Sequence, residues 1–351
     1  MRVALAGCGN IAPRYARCIA AADGLELVGA TDIAPGAADT FTTEHGGIVY
    51  ATLDDLLADP GVDTVVNLTA PQAHAAVTRT ALQAGKHVHS EKPLALQYDH
   101  ARELVELARE HGVRLSSAPA TLLGEAQQSA WKLIRDGAVG RVRVVYAEAN
   151  WDRIERWHPD PRSLYAVGPL VDVGVYPLAI MTAMFGPVRR VQAYASTVEP
   201  DRVRLDGSTF HPEAPDFVVA VLELADGVVA RLTATFYVGP SKQRGLEIHG
   251  DDGSLYMPTW AEFDSRLELK KRGEDYETVQ PLREPYKGID WSRALTDLAD
   301  AITTGRPHRA GGEHAAHLVE VLEAARTSMH GGAVVEVRSD FPRPEPLEWA
   351  R

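Results

Sequence analysis

Lys92 stands between a glutamate and a proline in the segment GKHVHSEKPLAL, residues 85–96, directly after an apolar strand-like run. Ligands of open α/β sheets bind outside the carboxyl ends of the strands, so an amine at that point meets a ligand. Partial desolvation lowers the pKa of such an amine and fits it for proton transfer. Pro93 fixes the chain direction after the lysine and is compatible with a cis Lys92–Pro93 bond. The plainer reading is a solvated lysine in a turn. His87, His89 and Glu91 lie at i, i+2 and i+4 and share one strand face. Two imidazoles and a carboxylate are zinc ligand types. A central parallel strand leaves little room for an open metal site, however, and nothing nearby completes the set. The histidines are therefore read as hydrogen-bonded strand-end residues, and no metal is expected.

A second chemical element opens the chain. GCGNIA places Gly7, Gly9 and Ala12 in a G-x-G-x-x-A pattern, with Asn10 and Ile11 between them, after a strand and before a helix. Gly7 permits the tight turn, Gly9 lets backbone approach a pyrophosphate, and Ala12 is small enough for helix–strand packing at an anion-favouring helix N-terminus. Alone, the pattern also suits an ordinary glycine-rich turn. The next strand ends at Asp32, which could accept both ribose hydroxyls of an adenosine, and the following IAPGA carries no Arg or Lys for a 2′-phosphate. The pair predicts NAD, with NADP disfavoured. Asp32 taken singly would also suit a loop or helix cap.

These residues need a frame. Strand patterns RVALAG, LELVGATD, DTVVNLT, KHVHSE and VRLSSAP alternate with helical patterns through residue 120. That alternation predicts a parallel sheet covered on both faces, an N-terminal Rossmann domain over 1–120. After one more helix, GEAQQSAWKLIRDG, strands dominate: VRVVYAEANW, RVQAYAST, FVVAVLEL, VVARLTATFYV, GLEIHG and SRLELKK. LADG at 224–227 is a hairpin turn between two of them. Helices follow near 291–304 and 313–330, and the proline-rich FPRPEPLEWAR reads as an extended tail. Residues 121–351 are thus predicted to be an α+β domain with a large, mostly antiparallel open sheet.

Length and charge narrow the field. The chain has 351 residues, which suits two domains rather than one core. Its net charge is −12, with basic residues scattered as in GRVRVVY and DRVRLDG, so nucleic acid is set aside. The two cysteines, Cys8 and Cys18, are too few for a disulfide framework and suggest a reducing, cytoplasmic compartment. MRVALAGCGN is a strand rather than a signal peptide, and no apolar run of membrane length is read.

GCGNIA, Asp32, Thr69 followed by His74, AGKHVHSEKPLA, GPLVDVGVYPLAI and the late GRPHRAGGEHAAHLVEVLEAARTS together resemble the glucose–fructose oxidoreductase / inositol dehydrogenase family over nearly the whole chain. The Glu-Lys-Pro segment is the most specific part. The resemblance implies a Rossmann domain and an open-sheet domain with the nicotinamide meeting substrate between them. It implies contacts to the cofactor from Thr69, His74 and Glu91, and a hydrogen bond from Lys92 to the reacting oxygen. The family's Asp-x-x-x-His matches Asp172 but has Tyr176 in place of histidine, as in the glucose–fructose oxidoreductase, xylose dehydrogenase and dihydrodiol dehydrogenase branches. A phenol can still donate to that oxygen. The usual Thr-Pro-Asn is also altered, to Thr69-Ala70-Pro71.

The leading expectation is an NAD-dependent oxidoreductase moving a hydride between a sugar or cyclitol carbinol and nicotinamide, with Lys92, Tyr176 and Asp172 at the proton. A glycoside hydrolase using retained NAD and a non-catalytic dinucleotide or sugar sensor are the alternatives. Trp151, Trp157 and His158 in WDRIERWHPDPRSLYAVGPL could line a sugar pocket, or the tryptophans could be core or interface residues. Tyr286 is open between cofactor contact and packing. Apolar alternation in FVVAVLEL and VVARLTATF predicts a homodimer or homotetramer through the open sheet.

Overall fold

In the computed structural model, which describes Met1–Arg351, the alternating signals of the first 120 residues become a six-stranded sheet in the order β3-β2-β1-β4-β5-β6. Its elements are β1 (Arg2–Ala6), α1 (Ala12–Ala21), β2 (Glu26–Thr31), α2 (Ala37–His45), β3 (Ile48–Val49), α3 (Leu53–Ala58), β4 (Thr64–Asn67), α4 (His74–Gln83), β5 (His87–Ser90), α5 (Tyr98–Glu110) and β6 (Leu115–Ser117). All pairings are parallel. Strand β1 shows why its sequence is apolar throughout. Val3 and Leu5 pack with Tyr15, Ile19 and Phe41, while Ala4 and Ala6 pack with Leu82 and Leu104 in a separate cluster. A strand covered on both faces has no polar side to show. Strand order reverses between β1 and β4, which sets the ligand crevice of this topology.

The chain forms two units, Met1–Ala120 with Asp290–Val319, and Thr121–Ile289 with Glu320–Arg351. The sequence reading places everything after 120 in the second half, but α9 (Arg293–Thr304) and the start of α10 (Gly312–Gly331) count with the first unit. Leu295 of α9 is fully buried in the Val3–Tyr15 cluster. Ser116 bridges to Gly311. Apolar burial and an open sheet edge thus recruit a distant segment, which local pattern does not reveal.

The second unit contains α6 (Glu125–Arg135), β7 (Val142–Asn150), α7 (Arg162–Pro169), α8 (Val175–Phe185), β8 (Val188–Ser196), β9 (Arg202–Val203), β10 (Thr209–Phe210), β11 (Phe217–Leu224), β12 (Val229–Thr235), β13 (Gly245–Gly250), β14 (Gly253–Met257), β15 (Leu267–Lys271), β16 (Glu277–Val279) and β17 (Val335–Glu336). Nine strands form one sheet in the order β16-β15-β14-β13-β7-β12-β11-β8-β17. Only β7–β12 is parallel; the other pairs are antiparallel. The predicted hairpin is present, closed by Gly227 N–H donating to Leu224 O at 3.0 Å.

Sequence pattern missed the helical stretch 162–185. Gly168, at φ 79, and Pro169 break its first turns, and a wide π turn at Leu170–Gly174 joins it to α8. Helix α8 is buried along almost its whole length, so it shows no polar stripe and no helical period. By length and composition this stretch could cross a bilayer, but 72% of its most apolar window is buried in the protein, which makes it a core helix. The tail at 341–351 docks: Leu347 N–H donates to Gln128 Oε1 at 2.8 Å, and Ala350 is fully buried.

Candidate active site

Because β1, β2, β4 and β5 run parallel, the residues that follow them lie along one edge of the sheet. Gly7, Asp32, Thr69 and Glu91-Lys92 all occupy that edge. Gly7 has φ 103, and a Cβ on it would sit 2.8 Å from the Leu68 carbonyl carbon, so only glycine fits. A Cβ on Gly9 meets nothing within 4 Å, so space lies open above the loop. The α1 N-terminus, preceded by Asn10 and Ile11, has no side-chain cap, and Ala12 is fully buried against the sheet. An open glycine beside an uncapped helix N-terminus fits a pyrophosphate.

Asp32 is held before any ligand arrives. Its Oδ2 accepts the Cys8 amide at 2.6 Å and its Oδ1 the Ala34 amide at 2.7 Å. The carboxylate thus ties the glycine loop to the end of β2 and retains further lone pairs on both oxygens. Burial, with the Asp32 charge, pushes the Cys8 thiol up to about 12. It is therefore no thiolate nucleophile at neutral pH.

The turn after β4 is organised by Asn67, which sequence reasoning passed over. Fully buried, it donates to the His74 carbonyl and Thr78 Oγ1, both at 3.0 Å, and accepts the Thr69 hydroxyl at 2.7 Å. His74 is buried as well. Its Nδ1 lies 2.7 Å from Pro93 O and its Nε2 2.9 Å from Thr69 O, so the ring sits between the β4 turn and the Lys92–Pro93 turn and, when neutral, donates its single N–H to one of the two carbonyls. Burial lowers its pKa, against the pull of both carbonyls. The Lys92–Pro93 bond is cis.

Glu91 is buried and accepts from two sides, the Tyr15 hydroxyl at 2.8 Å and the Lys92 amide at 3.0 Å. His89 lies fully buried between Ser116 Oγ at 2.9 Å and Tyr15 Oη at 3.3 Å. Burial, helped by His308, holds it down at about 3. His87 Nδ1 accepts the Arg114 amide at 2.9 Å. Both histidines are thus hydrogen-bonded within the sheet.

In the second unit, Asp172 sits buried on the π turn and Tyr176 in the first turn of α8. Wide turns of this kind recur at functional sites. The Tyr176 ring lies 5.0 Å from that of Trp260 at 32°, and Trp151 lies 6.4 Å from Trp260. Trp260 is buried, with its Nε1 donating to Glu148 O at 3.1 Å. Trp260 carries no sequence signal, because it lies far along the chain from both partners. Trp151 and Trp157 are 41% and 53% exposed, which excludes the core reading for both. Trp157 packs edge-on against His158, whose Nδ1 accepts the Asp160 amide. Tyr286 is exposed, and its amide donates to buried Glu125 at 3.3 Å.

A glycine-rich strand–helix turn, an aspartate closing the next strand and a strand-end lysine share one edge of the parallel sheet. Residues 1–118 match the GFO_IDH_MocA model, "Oxidoreductase family, NAD-binding Rossmann fold", and residues 127–256 match the GFO/IDH/MocA C-terminal domain. The chain belongs to this family. It is 32% identical to a dTDP-3,4-didehydro-2,6-dideoxy-alpha-D-glucose 3-reductase of Streptomyces violaceoruber over 265 residues, 73% of this chain and 72% of that one. It is 27% identical to the 1,5-anhydro-D-fructose reductase of Ensifer adhaerens, over 72% of this chain and 74% of that one. The aldose-aldose oxidoreductase from Caulobacter crescentus superposes with a TM-score of 0.83 at 24% identity, covering 96% of this chain and 99% of that one, a likeness of fold.

Proposed function

We propose that this protein is an NAD-dependent oxidoreductase of sugar or cyclitol CH–OH groups, with the unit of residues 1–120 and 290–319 serving the cofactor and the unit of 121–289 and 320–351 the substrate. The observation that carries the reading is the shared strand-end edge of the phosphate loop, Asp32 and Lys92. Relatives named as sugar reductases support the substrate class. The bound nicotinamide would supply the hydride acceptor or donor. Gly7, Gly9, Asn10, Ile11 and Ala12 hold the pyrophosphate, and Asp32 the adenosine ribose. Thr69, Glu91 and, through its place between the two turns, His74 shape the nicotinamide end. Lys92 and Tyr176 handle the proton of the reacting oxygen, with Asp172 four residues before Tyr176. Trp157 and His158 serve the sugar. A screen of sugars and cyclitols with NAD and NADP, following absorbance of the reduced cofactor, tests this. Leaving-group release without reduced cofactor would overturn it.

NAD is the preferred cofactor in this reading. The Asp32 charge repels a 2′-phosphate, and charged hydrogen bonds to the ribose are worth about 1.5–3 kcal/mol, so preference over NADP is about ten- to a hundredfold. Asp32→Ser narrows the ratio of the two affinities. Because Asp32 also holds the Cys8 amide, both absolute affinities fall. Tighter NADP than NAD binding by the unchanged protein refutes the assignment. With only two cysteines, neither in a disulfide, a reducing compartment such as the cytoplasm is the proposed location.

The open sheet face pairs two copies. Gln192, Val221, Arg231 and Tyr146 are directly paired across β8, β11, β12 and β7 and so share a face. Tyr194, Val221, Val229 and Tyr146 are 66%, 43%, 42% and 39% exposed on it. Arg190–Glu223 and Arg231–Glu148 neutralise one another within the same face, so a second copy meets apolar surface without net repulsion. Light scattering is expected to give a dimer or tetramer, and Val221→Lys a smaller species. A monomeric mass at micromolar concentration counts against the pairing.

A further inference from the structure

We propose that Tyr15, on the helix that opens at the phosphate loop, is a positioning residue that sets Lys92 through the carboxylate of Glu91. The proposal rests on the proton-handling role proposed for Lys92 and adds a residue that neither the family motif nor the chemistry above assigns.

The hydrogen bonds carry a direction. Tyr15 Oη has one proton, and Glu91 Oε1 at 2.8 Å is a pure acceptor, so the phenol donates there. The phenol oxygen then accepts from His89 Nε2 at 3.3 Å. A neutral imidazole with its proton on Nε2 presents Nδ1 as an acceptor, which Ser116 Oγ fills from 2.9 Å. Ser116, His89 and Tyr15 thus form a one-way donor chain that ends on Glu91. The other oxygen of Glu91 accepts the Lys92 amide at 3.0 Å. Tyr15, His89 and Ser116 are at most 1% exposed, so the chain carries no proton to solvent. What it does is fix the Glu91 carboxylate from both sides, and with it the backbone from which Lys92 projects.

Tyr15 is itself fixed. Its ring packs 5.7 Å from that of Trp291, and its amide donates to Ile11 O at 3.2 Å in the first turn of α1. One residue therefore spans from the helix turn that receives the pyrophosphate to the strand end that bears the lysine. Tyr15→Phe removes the hydroxyl and keeps the ring packing.

The test uses the full chain. Acetic anhydride labelling of the cofactor-free protein, resolved by peptide mass spectrometry, gives the rate at Lys92 relative to Lys132 in the same sample. Tyr15→Phe is expected to change that ratio about three- to tenfold, the scale of one hydrogen bond. Glu91→Gln should change it similarly, and the double variant no more than the larger single, because both act at one point. With a substrate in hand, kcat falls about tenfold while KM and the NADH affinity read by fluorescence stay within about twofold, the mark of lost positioning rather than lost binding. If Tyr15→Phe is insoluble, Ser116→Ala reads the chain from its far end by the same ratio. An unchanged ratio overturns the proposal, and so do fully additive effects of Tyr15→Phe and Glu91→Gln. Failure of every sugar to turn over would sink the functional reading alone, since the labelling ratio needs no substrate.

Discussion

Lys92→Met is expected to lower kcat by about 10² or more, the scale of losing general acid–base help, while NAD affinity changes less. The lysine stands at the carboxyl end of β5, directly after a glutamate anchored by Tyr15 and directly before a proline whose carbonyl lies 2.7 Å from His74 Nδ1. Such a frame fixes the backbone from which the amine projects. Lys92→Arg separates two roles. If charge alone bound the substrate, arginine would keep much of the activity. Arginine stays protonated at any working pH, so it fails where the side chain must release or share a proton. Tyr176→Phe should cost less, and the Lys92→Met/Tyr176→Phe pair should cost less than the product of the singles if both serve one oxygen. Full turnover by the methionine variant on a confirmed substrate removes Lys92 from the mechanism.

Arg202→Met is expected to destabilise the second unit by about 3–5 kcal/mol, the cost of leaving buried charges without their partner. The Arg202 side chain is fully buried. Its guanidinium donates to Glu155 at 2.9 Å, to Tyr165 Oη at 2.8 Å, to Phe236 O at 3.2 Å and to Asp216. Glu155 and Asp216 are 4% and 0% exposed. Asp216 also accepts the Val198 amide at 2.6 Å, and Tyr165 donates to Glu155. The network therefore joins the Trp157 segment, α7 and the strands beyond it. The urea midpoint of the second unit reads the loss, and trypsin should then cut faster at exposed Arg156 and Arg162. Arg202→Met with Glu155→Gln and Asp216→Asn should recover part of the midpoint, because the orphaned charges are gone. A midpoint unmoved by Arg202→Met alone contradicts the account.

The strand-end edge proposed for the cofactor was legible because its residues are local. Gly7, Gly9 and Ala12 lie within one strand–helix turn, Asp32 closes the next strand, and Glu91-Lys92-Pro93 are consecutive. The residues that hold those groups were not legible. Tyr15 and Glu91 are 76 residues apart, and nothing in the helix spacing of IAPRYAR distinguishes a tyrosine facing a carboxylate from one facing leucines. Tyr176 was found by its distance from Asp172, whereas Trp260, 5.0 Å from its ring, carries no local mark.

Sequence alone determined the alternation that makes the parallel sheet, the glycine positions of the first strand–helix turn and the strand end that presents the lysine. Each follows from backbone geometry repeated over a few residues. Tertiary structure decided the rest. It returned α9 to the first unit, because Leu295 finds its apolar neighbours there. It packed 162–185 into the core as a kinked helical stretch, where glycine and proline had hidden a helix. It also turned Arg202, in the sequence one more scattered basic residue, into the centre of a buried ion network. The free energy of a charge is set by whether water or a carboxylate surrounds it, and only the folded chain determines which.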